Sequence, residues 1–328
     1  MSPDPDWTRA VKLLDGAGSV CLACHIRPDA DALGSMLAVA QALHGRGQRV
    51  VASFGDDPFA VPAILKFLPG QELLSEPTAY PARPEVMMSF DAAAPGRLGS
   101  LASPAGAAGE LIVVDHHASN TGFGSVSLVD PGAAASAVLA AELIGRLGSA
   151  LTRDVAVCLY AGLVTDTGSF RFSSTDSGVH QLAARLLDAG VDPAAVSREL
   201  YDSAPFGYLS MLSAALGRAV LESDAAGGLG LVWTSVTRSD RAAAKLPLDA
   251  AESVIDEIRR TNEAEVAAVL KEDDTGVWQA SVRSKDVIDV AQAAAMLGGG
   301  GHARAAGFSY SGRADEAIAA FKAALDGQ

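Results

Sequence analysis

The sequence predicts an α/β protein with two domains: a larger one built on a doubly wound parallel sheet, and a smaller C-terminal α+β domain. In the first half of the chain, short continuous apolar runs alternate with helical patterns, as in a parallel sheet covered by helices on both faces. After Gly227 and Gly228 the pattern changes to strands and helices of mixed order. The length of 328 residues is sufficient for two hydrophobic cores.

The elements follow in order along the chain. Continuous apolar runs predict strands at 19–24, 49–54, 86–90 and 111–114. Helical patterns and their end signals predict helices at 32–45, 133–147, 152–165 and 177–189, and a further one beginning at Asp192-Pro193. In the second half, strands are predicted at GLGLVWTSV, EVAAVLKE and VWQASVR, and helices at 250–260, 289–297 and 313–325. The predicted domains are residues 1–190 and 226–328, joined by a helical connector at 191–225.

Composition excludes several classes of function. A net charge of −14 argues against binding long nucleic acid, which requires a basic surface. No apolar run reaches the roughly 20 residues that a membrane span needs, and the first residues lack a signal-peptide pattern, so we expect a cytoplasmic protein without membrane attachment. Cys21 and Cys24 form a C-x-x-C motif with no second pair, and we interpret them as part of a core strand.

Acidic residues and histidines follow the predicted strands and one helix at four places. These residues are His25, Asp29 and Asp31; Asp91; Asp115, His116 and His117; and Asp166. Because the carboxyl ends of parallel strands meet at one edge of a sheet, we expect the clusters to converge there. Asp31 taken alone has a second interpretation, as the N-cap of the following helix. Burying so many carboxylates together costs several kcal/mol per ion, so the joint pattern predicts bound cations.

The types of ligand indicate which cations these are. Oxygen ligands with some imidazole and no thiolate favour two Mn²⁺ ions, with Mg²⁺ or Co²⁺ as possible substitutes. Two such ions suit attack on a phosphoryl group, because one activates water and both stabilise the charge on the phosphoryl oxygens.

These motifs resemble those of the DHH phosphoesterase superfamily. The resemblance rests on H-x-x-P-D-x-D-A-x-G-S at 25–35 and on Asp115-His116-His117. In the second half, GGGGHARAAG at 298–307 and VRSK at 282–285 resemble the DHHA1 domain. The resemblance covers about residues 15–326 and is greatest to the bacterial oligoribonuclease (nano-RNase)/pAp-phosphatase branch, with an actinobacterial source expected.

The resemblance implies a role for each matched residue. One cation would be bound by His25, Asp29 and Asp91, and the other by Asp31, Asp91, His116 and Asp166. The catalytic group would consist of Asp91, Asp115 and His117. In this group, Asp115 would orient His116, whereas His117 would face the phosphate. Consecutive glycines let backbone N–H groups approach an anion. The predicted substrate-binding residues are therefore Arg283, Ser284, Gly300, Gly301 and His302.

The expected substrates are small nucleotides: short RNA, linear dinucleotides such as pApA, pAp and, in some members of the branch, cyclic dinucleotides. The resemblance also implies a homodimer. Three alternatives remain open from the sequence. They are a family II inorganic pyrophosphatase, a RecJ-type exonuclease, which would require a longer chain and a basic channel, and a non-catalytic nucleotide sensor.

Overall fold

A five-stranded sheet forms the centre of the first part of the chain in the structure, a computed structural model that describes residues 4–327. The strands are β1 Ser19–Cys24, β2 Arg49–Phe54, β3 Val86–Phe90, β4 Glu110–Asp115 and β5 Val126–Val129. Their order is β2-β1-β3-β4-β5, and every neighbouring pair is parallel. The predicted parallel sheet is confirmed. The short strand β5 was not predicted, because only two of its four residues are buried and it presents no continuous apolar run.

The helices of the first unit pack on this sheet or on other helices of the unit. They are α1 Asp4–Gly16, α2 Ala30–Gly45, α3 Ala102–Gly106, α4 Ser136–Arg146, α5 Arg153–Asp166, α6 Ser177–Asp188 and α7 Pro193–Tyr201. Alternate strand residues point to opposite faces. Leu22 and Met88 therefore belong to the core beneath α2, α4 and α5, whereas Cys21 and Met87 pack on the other face with Leu98. Cys21 and Cys24 are buried free thiols, which confirms their interpretation as part of a core strand.

The chain divides into two compact units, and the first ends at Ser203. The second unit contains a six-stranded sheet of order β10-β11-β9-β8-β7-β6. Its strands are β6 Val220–Glu222, β7 Leu231–Val236, β8 Val266–Glu272, β9 Val277–Ser284, β10 Gly300–His302 and β11 Ala305–Ser311. Only β7 and β8 pair in parallel among these strands, so the predicted smaller α+β unit is confirmed.

The helices of the second unit are mostly short. They are α8 Gly207–Leu216, α9 Ala225–Gly228, α10 Arg238–Ala244, α11 Val254–Ile258, α12 Val290–Met296 and α13 Ala314–Asp326. The segment 191–225, predicted as a connector, falls in both units: α7 lies in the first unit, and α8 and β6 lie in the second. The bounds predicted for the functional domains stay a prediction. Within residues 4–327, no helix is both long enough and apolar enough to cross a membrane.

Candidate metal centre

The carboxyl edge of the parallel sheet collects the acidic and imidazole side chains. His25 directly follows β1, Asp91 directly follows β3, and Asp115 ends β4 with His116 next along the chain. Asp166 is the last residue of α5. The ends of β1, β3 and β4 therefore meet at one edge, as expected for an open parallel sheet. Asp166 joins them from α5, with its Oδ2 3.2 Å from Nε2 of His116.

The start of α2 contributes two carboxylates with different environments. Asp29 is the N-cap of this helix, and its Oδ1 accepts a hydrogen bond from the Ala32 backbone N–H at 2.9 Å. Asp31 lies inside the first turn and is fully buried. The N-cap interpretation of Asp31 is therefore wrong, and Asp29 has that role. Because Asp29 is bound by the helix only through Oδ1, its Oδ2 can face the edge of the sheet.

A first group of donors consists of His25, Asp29 and Asp91. Nε2 of His25 lies 3.6 Å from Oδ2 of Asp29 and 3.4 Å from Oδ2 of Asp91. The other ring nitrogen of His25, Nδ1, lies 2.8 Å from the carbonyl oxygen of Ile26. If Nδ1 carries the proton, that contact leaves the Nε2 lone pair pointing toward the two carboxylates, as metal-binding histidines require.

A second group of donors surrounds His116. Its Nε2 lies 3.2 Å from Oδ2 of Asp166, 3.4 Å from Oδ1 of Asp91 and 3.9 Å from Oδ2 of Asp31. Its Nδ1 lies 3.2 Å from the carbonyl oxygen of Ala133, so the backbone orients this ring in the same way as the ring of His25. Asp91 belongs to both groups and uses a different oxygen in each.

Asp91 is held in a conformation that non-glycine residues rarely adopt. Its φ angle is +55°, in the left-handed region, which costs on the order of 1–3 kcal/mol for a residue with a side chain. Its N–H donates to the carbonyl of Val114 at 2.9 Å, and its Oδ1 accepts from the hydroxyl of Ser136 at 2.8 Å. The backbone bends sharply at the end of β3, and these two bonds fix the carboxylate between the two donor groups.

Asp31 is positioned by its neighbours on α4 and α5. Its carboxylate accepts from the backbone N–H groups of Ser136, at 2.6 Å, and Ala137, at 2.9 Å, at the positive end of helix α4. A Cβ atom added to Gly162 of α5 would lie 2.7 Å from Oδ1 of Asp31. Burial, and then the charges of Asp166 and Asp91, raise the pKa of Asp31 well above its usual value.

His117 differs from the expectation for this motif. Its Nδ1 lies 2.7 Å from Oδ1 of Asp115, whereas His116 is oriented by the carbonyl of Ala133, so the expected support of His116 by Asp115 is wrong. The reason is that residues two apart in extended backbone share a face, whereas adjacent residues do not. Oδ2 of Asp115 accepts from the side-chain amide of Asn120 at 2.6 Å. Asp115 therefore positions His117, and ligand atoms of Asp91, Asp115 and His117 lie within 4.8 Å of one another.

The protonation equilibria reflect the density of carboxylates. Burial lowers the pKa of His25, but the contacts with Asp29 and Asp91 outweigh it and raise the pKa to about 10. Burial likewise opposes charge on His116, whose contacts with Asp166 and Asp91 raise its pKa to about 12. Burial by itself would raise the pKa of Asp91, but the two imidazoles hold it well below its usual value. In the absence of cations, the imidazolium groups supply the positive charge that these buried carboxylates require.

The donor set fits divalent cations. The ligand atoms of His25, Asp29 and Asp91 lie within 4.8 Å of one another, and so do those of Asp31, Asp91 and His116. Carboxylate oxygens with one imidazole in each group suit Mn²⁺ or Mg²⁺. None of the three cysteines belongs to a donor group, as in the expected site. Ser136 and Gly162 were not predicted, because neither has a distinguishing signal in the sequence and Ser136 lies 105 residues from Asp31.

The residues predicted to bind substrate lie in the second unit. Arg283 of β9 is directly opposite Ala305 of β11, which is opposite His302 of β10. Since directly opposite residues share a face, Arg283 and His302 lie on the same face of this sheet. The predicted glycine loop is partly a strand, since Gly300 and Gly301 belong to β10. A Cβ on Gly301 would lie 2.5 Å from the carbonyl oxygen of Ala305, so this tight hairpin requires glycine there.

Ser284 has a different environment from Arg283. Its side chain is buried, and its hydroxyl donates to the carboxylate of Glu265 at 2.8 Å. The same carboxylate accepts from the backbone N–H groups of Asp286 and Val287, both at 2.7 Å. Ser284 therefore anchors the turn that follows β9.

Comparison with known proteins agrees with the arrangement of motifs. The DHH family, N-terminal domain model matches residues 19–163, and the DHHA1 domain model matches residues 241–327. A relative from Thermus thermophilus, named bifunctional oligoribonuclease and PAP phosphatase NrnA, is 31% identical over 95% of this chain and 91% of its own length. The chain belongs to the DHH/DHHA1 phosphoesterase family. A probable enzyme of the same name from Streptococcus mutans is 28% identical over 61% of this chain and 63% of its own length.

Solved structures share the fold of this DHH protein. An exopolyphosphatase-related protein from Bacteroides fragilis aligns with a TM-score of 0.87 at 23% identity, over 99% of this chain and 96% of its own. RecJ from Thermus thermophilus in complex with Mn²⁺ aligns with a TM-score of 0.54 at 17% identity, over 98% of this chain and 54% of its own. At these identities the likeness concerns the fold.

Proposed function

We propose that this protein is a two-metal phosphoesterase that hydrolyses short oligoribonucleotides, including pApA, to mononucleotides, and converts pAp to AMP. The relatives from T. thermophilus and S. mutans are named oligoribonucleases and PAP phosphatases. The observation that carries the proposal is the sharing of Asp91 between two groups of carboxylate and imidazole donors. A pair of cations held by one shared carboxylate is an arrangement suited to phosphoryl chemistry.

Within this proposal, His25, Asp29 and Asp91 hold one cation, and Asp31, Asp91, His116 and Asp166 hold the other. Mn²⁺ is the preferred ion, with Mg²⁺ or Co²⁺ as substitutes. When bound, such ions lower the pKa of water and neutralise charge on phosphoryl oxygens. The left-handed backbone at Asp91 and its bond from Ser136 keep the shared carboxylate in place before the substrate arrives.

The proposed role of His117 is to meet the phosphate. Asp115 binds its Nδ1, so Nε2 is directed away from that carboxylate. Burial lowers the pKa of His117, but Asp115 and the charge of Asp91 outweigh it, and the net effect raises the pKa. A protonated ring can donate a hydrogen bond to the phosphate or a proton to the departing ribose oxygen. Asp115 and Asn120 keep the ring oriented for this step.

The net charge of −14 favours small substrates over polymers, because a long polyanion gains nothing from an acidic surface. In the DHHA1 domain, Arg283 and His302 share a sheet face beside the small residues Gly300 and Gly301, and we propose that they bind the nucleotide. Ser284 would act through the turn that it anchors. Cytoplasmic localisation, a homodimeric state and action on cyclic dinucleotides stay predictions.

The test is release of AMP from pApA by the purified protein with Mn²⁺, Mg²⁺ or Co²⁺. We expect release with at least Mn²⁺, and none after treatment with a chelator. Asp91→Asn is the control for a contaminating nuclease, because it removes one charge from both donor groups. Absence of AMP release with every cation, or equal release by wild type and Asp91→Asn, would contradict the proposal. Inclusion of pAp and pyrophosphate separates the proposed activity from that of a pyrophosphatase.

A further inference from the structure

Two arginines, Arg27 and Arg97, lie beside the first donor group on loops at the carboxyl edge of the sheet. Arg27 follows β1, two residues after His25, and Arg97 lies in the 3-10 helix Pro95–Leu101 that follows β3. The Ile26 N–H donates to the carbonyl of Arg97 at 2.8 Å, so the two loops are joined next to His25. We call these two residues the arginine pair.

The backbone presents Arg27 at a strained position. Its φ angle is +52°, in the left-handed region, and its N–H donates to Oδ2 of Asp56 at 2.7 Å. Left-handed backbone at a residue with a side chain costs on the order of 1–3 kcal/mol and is concentrated at functional sites. This observation is independent of the charges around the pair and indicates that the orientation of the Arg27 side chain matters.

The arginine pair places positive charge at this edge of the sheet. The side chain of Arg97 makes no hydrogen bond and no ion pair with the residues that the structure describes at 4–327. Burial, and then the positive charge of Arg27, lower the pKa of Arg97, and the charges of Asp29, Asp91 and Asp56 only partly offset this effect. A guanidinium group without a carboxylate partner, such as that of Arg97, can bind an anionic ligand.

Loading of the metal centre would increase the attraction of this edge for an anion. Asp29 and Asp91 are carboxylates that the proposed cations would neutralise, so less negative charge would then face the arginine pair. A guanidinium presents its donors in a planar fork that matches the oxygens of a phosphate. The loaded edge of the sheet therefore offers cations for one phosphate and, beside them, arginines for another.

We propose that the arginine pair binds a second, uncleaved phosphate of the substrate, next to the phosphate that is hydrolysed. This inference rests on the proposed function. It explains a feature that pApA and pAp share, since each carries one phosphate at which hydrolysis occurs and a second phosphate that does not react. The ligand class is accordingly a nucleotide with two phosphates at neighbouring positions, and the arginine pair selects it over a nucleotide that lacks the second one.

The test compares pApA with ApA, which lacks the terminal phosphate, in the wild type and in Arg97→Ala. We expect the variant to lose about 10- to 100-fold in kcat/KM for pApA, the effect of one hydrogen-bonded charge pair, and to change less than about threefold for ApA. Arg97→Lys should recover part of the preference, because an ammonium keeps the charge without the fork. Lys12→Ala is the matched control, since it removes an exposed positive charge from α1, beside the opposite ends of β3 and β4.

Binding gives a second readout. Calorimetric titration with pApA should show weaker binding to Arg97→Ala than to wild type, whereas ApA should bind both alike. An equal loss for pApA and ApA would mean that Arg97 acts on the cleaved phosphate or on folding, and it would overturn the inference, as would unchanged kinetics for both. If the wild type cleaves neither dinucleotide, the proposed function fails. In that case, equal affinities of wild type and Arg97→Ala for pApA would independently overturn the inference that the arginine pair binds a phosphate.

Discussion

Helices α2 and α5 pack closely at Gly162, and a methyl group added there tests whether this packing positions Asp31. In Gly162→Ala the new Cβ would lie 2.7 Å from Oδ1 and 2.9 Å from Cα of Asp31, and 3.2 Å from Cβ of Ala137. Because the second of these atoms belongs to the backbone of α2, either the two helices must separate or the carboxylate must move. Such overpacking costs about 1–3 kcal/mol, whereas alanine in a helix gains about 1 kcal/mol over glycine.

A matched control isolates the cost of this close approach. Gly145 lies in α4, and a Cβ added there has no neighbouring atom within 4 Å. We expect Gly145→Ala to raise the free energy of unfolding by up to about 1 kcal/mol. Gly162→Ala should be about 1–3 kcal/mol less stable than Gly145→Ala, because the two differ mainly in overpacking.

The assays are urea denaturation in the presence of a chelator and calorimetric titration with Mn²⁺. Gly162→Ala displaces Asp31, so the Mn²⁺ affinity of this variant should fall about 10- to 100-fold. Losses of that size are typical when a residue that orients a metal ligand is changed. Gly145→Ala should bind Mn²⁺ like the wild type. Equal stability and equal Mn²⁺ affinity of the two variants would refute the argument that the packing of α2 against α5 positions Asp31.

Three further predictions concern the metal centre. Asp91→Asn should lower Mn²⁺ affinity in calorimetry by at least about 100-fold and abolish AMP release from pApA, and survival of either property would contradict its shared role. Ser136→Ala removes the hydroxyl that donates to Asp91 but keeps the backbone N–H that binds Asp31. This variant should reduce turnover about 10-fold, and unchanged turnover would show that the hydroxyl bond to Asp91 is dispensable. The pKa values of about 10 for His25 and about 12 for His116 mean that both rings are protonated at pH 7 without cations, so Mn²⁺ affinity should rise with pH and binding should release protons. Calorimetry in buffers of different ionisation enthalpy measures this release, and none at pH 7 would contradict it. In the chelator-treated protein these two raised pKa values stabilise the fold fully below pH 6.5, and the contribution is lost as the pH rises through about 10 for His25 and about 12 for His116.

The parallel sheet and its ligand edge were predictable from local patterns. Strands β1, β3 and β4 are largely buried apolar runs, and His25, Asp91 and His116 each follow one of these strands directly. Because parallel strands end at one edge, position in the sequence was enough to bring these side chains together. Helix α1 and strand β5 were not predicted. Only two of the four residues of β5 are buried, so this strand has no continuous apolar run in the sequence.

The details of the site were decided by contacts between distant segments. The family resemblance implied that Asp115 orients His116, but the alternation of side chains at the end of β4 directs Asp115 to His117. The bonds of Ser136 reach 45 residues to Asp91 and 105 residues to Asp31, and no local pattern predicts them. The close approach of Gly162 to Asp31 exists only because α2 and α5 pack face to face.

The sequence by itself determined the chemistry of this protein: the types of ligand, their order along the chain and the edge of the sheet to which they belong. These follow from residue identity and from the rule that strands of one direction end together. Only the tertiary structure decided which oxygen of each carboxylate faces which imidazole and which neighbours hold it there. Those contacts depend on rotations and separations of packed helices by fractions of an ångström, and such displacements leave no mark on the local pattern of residues.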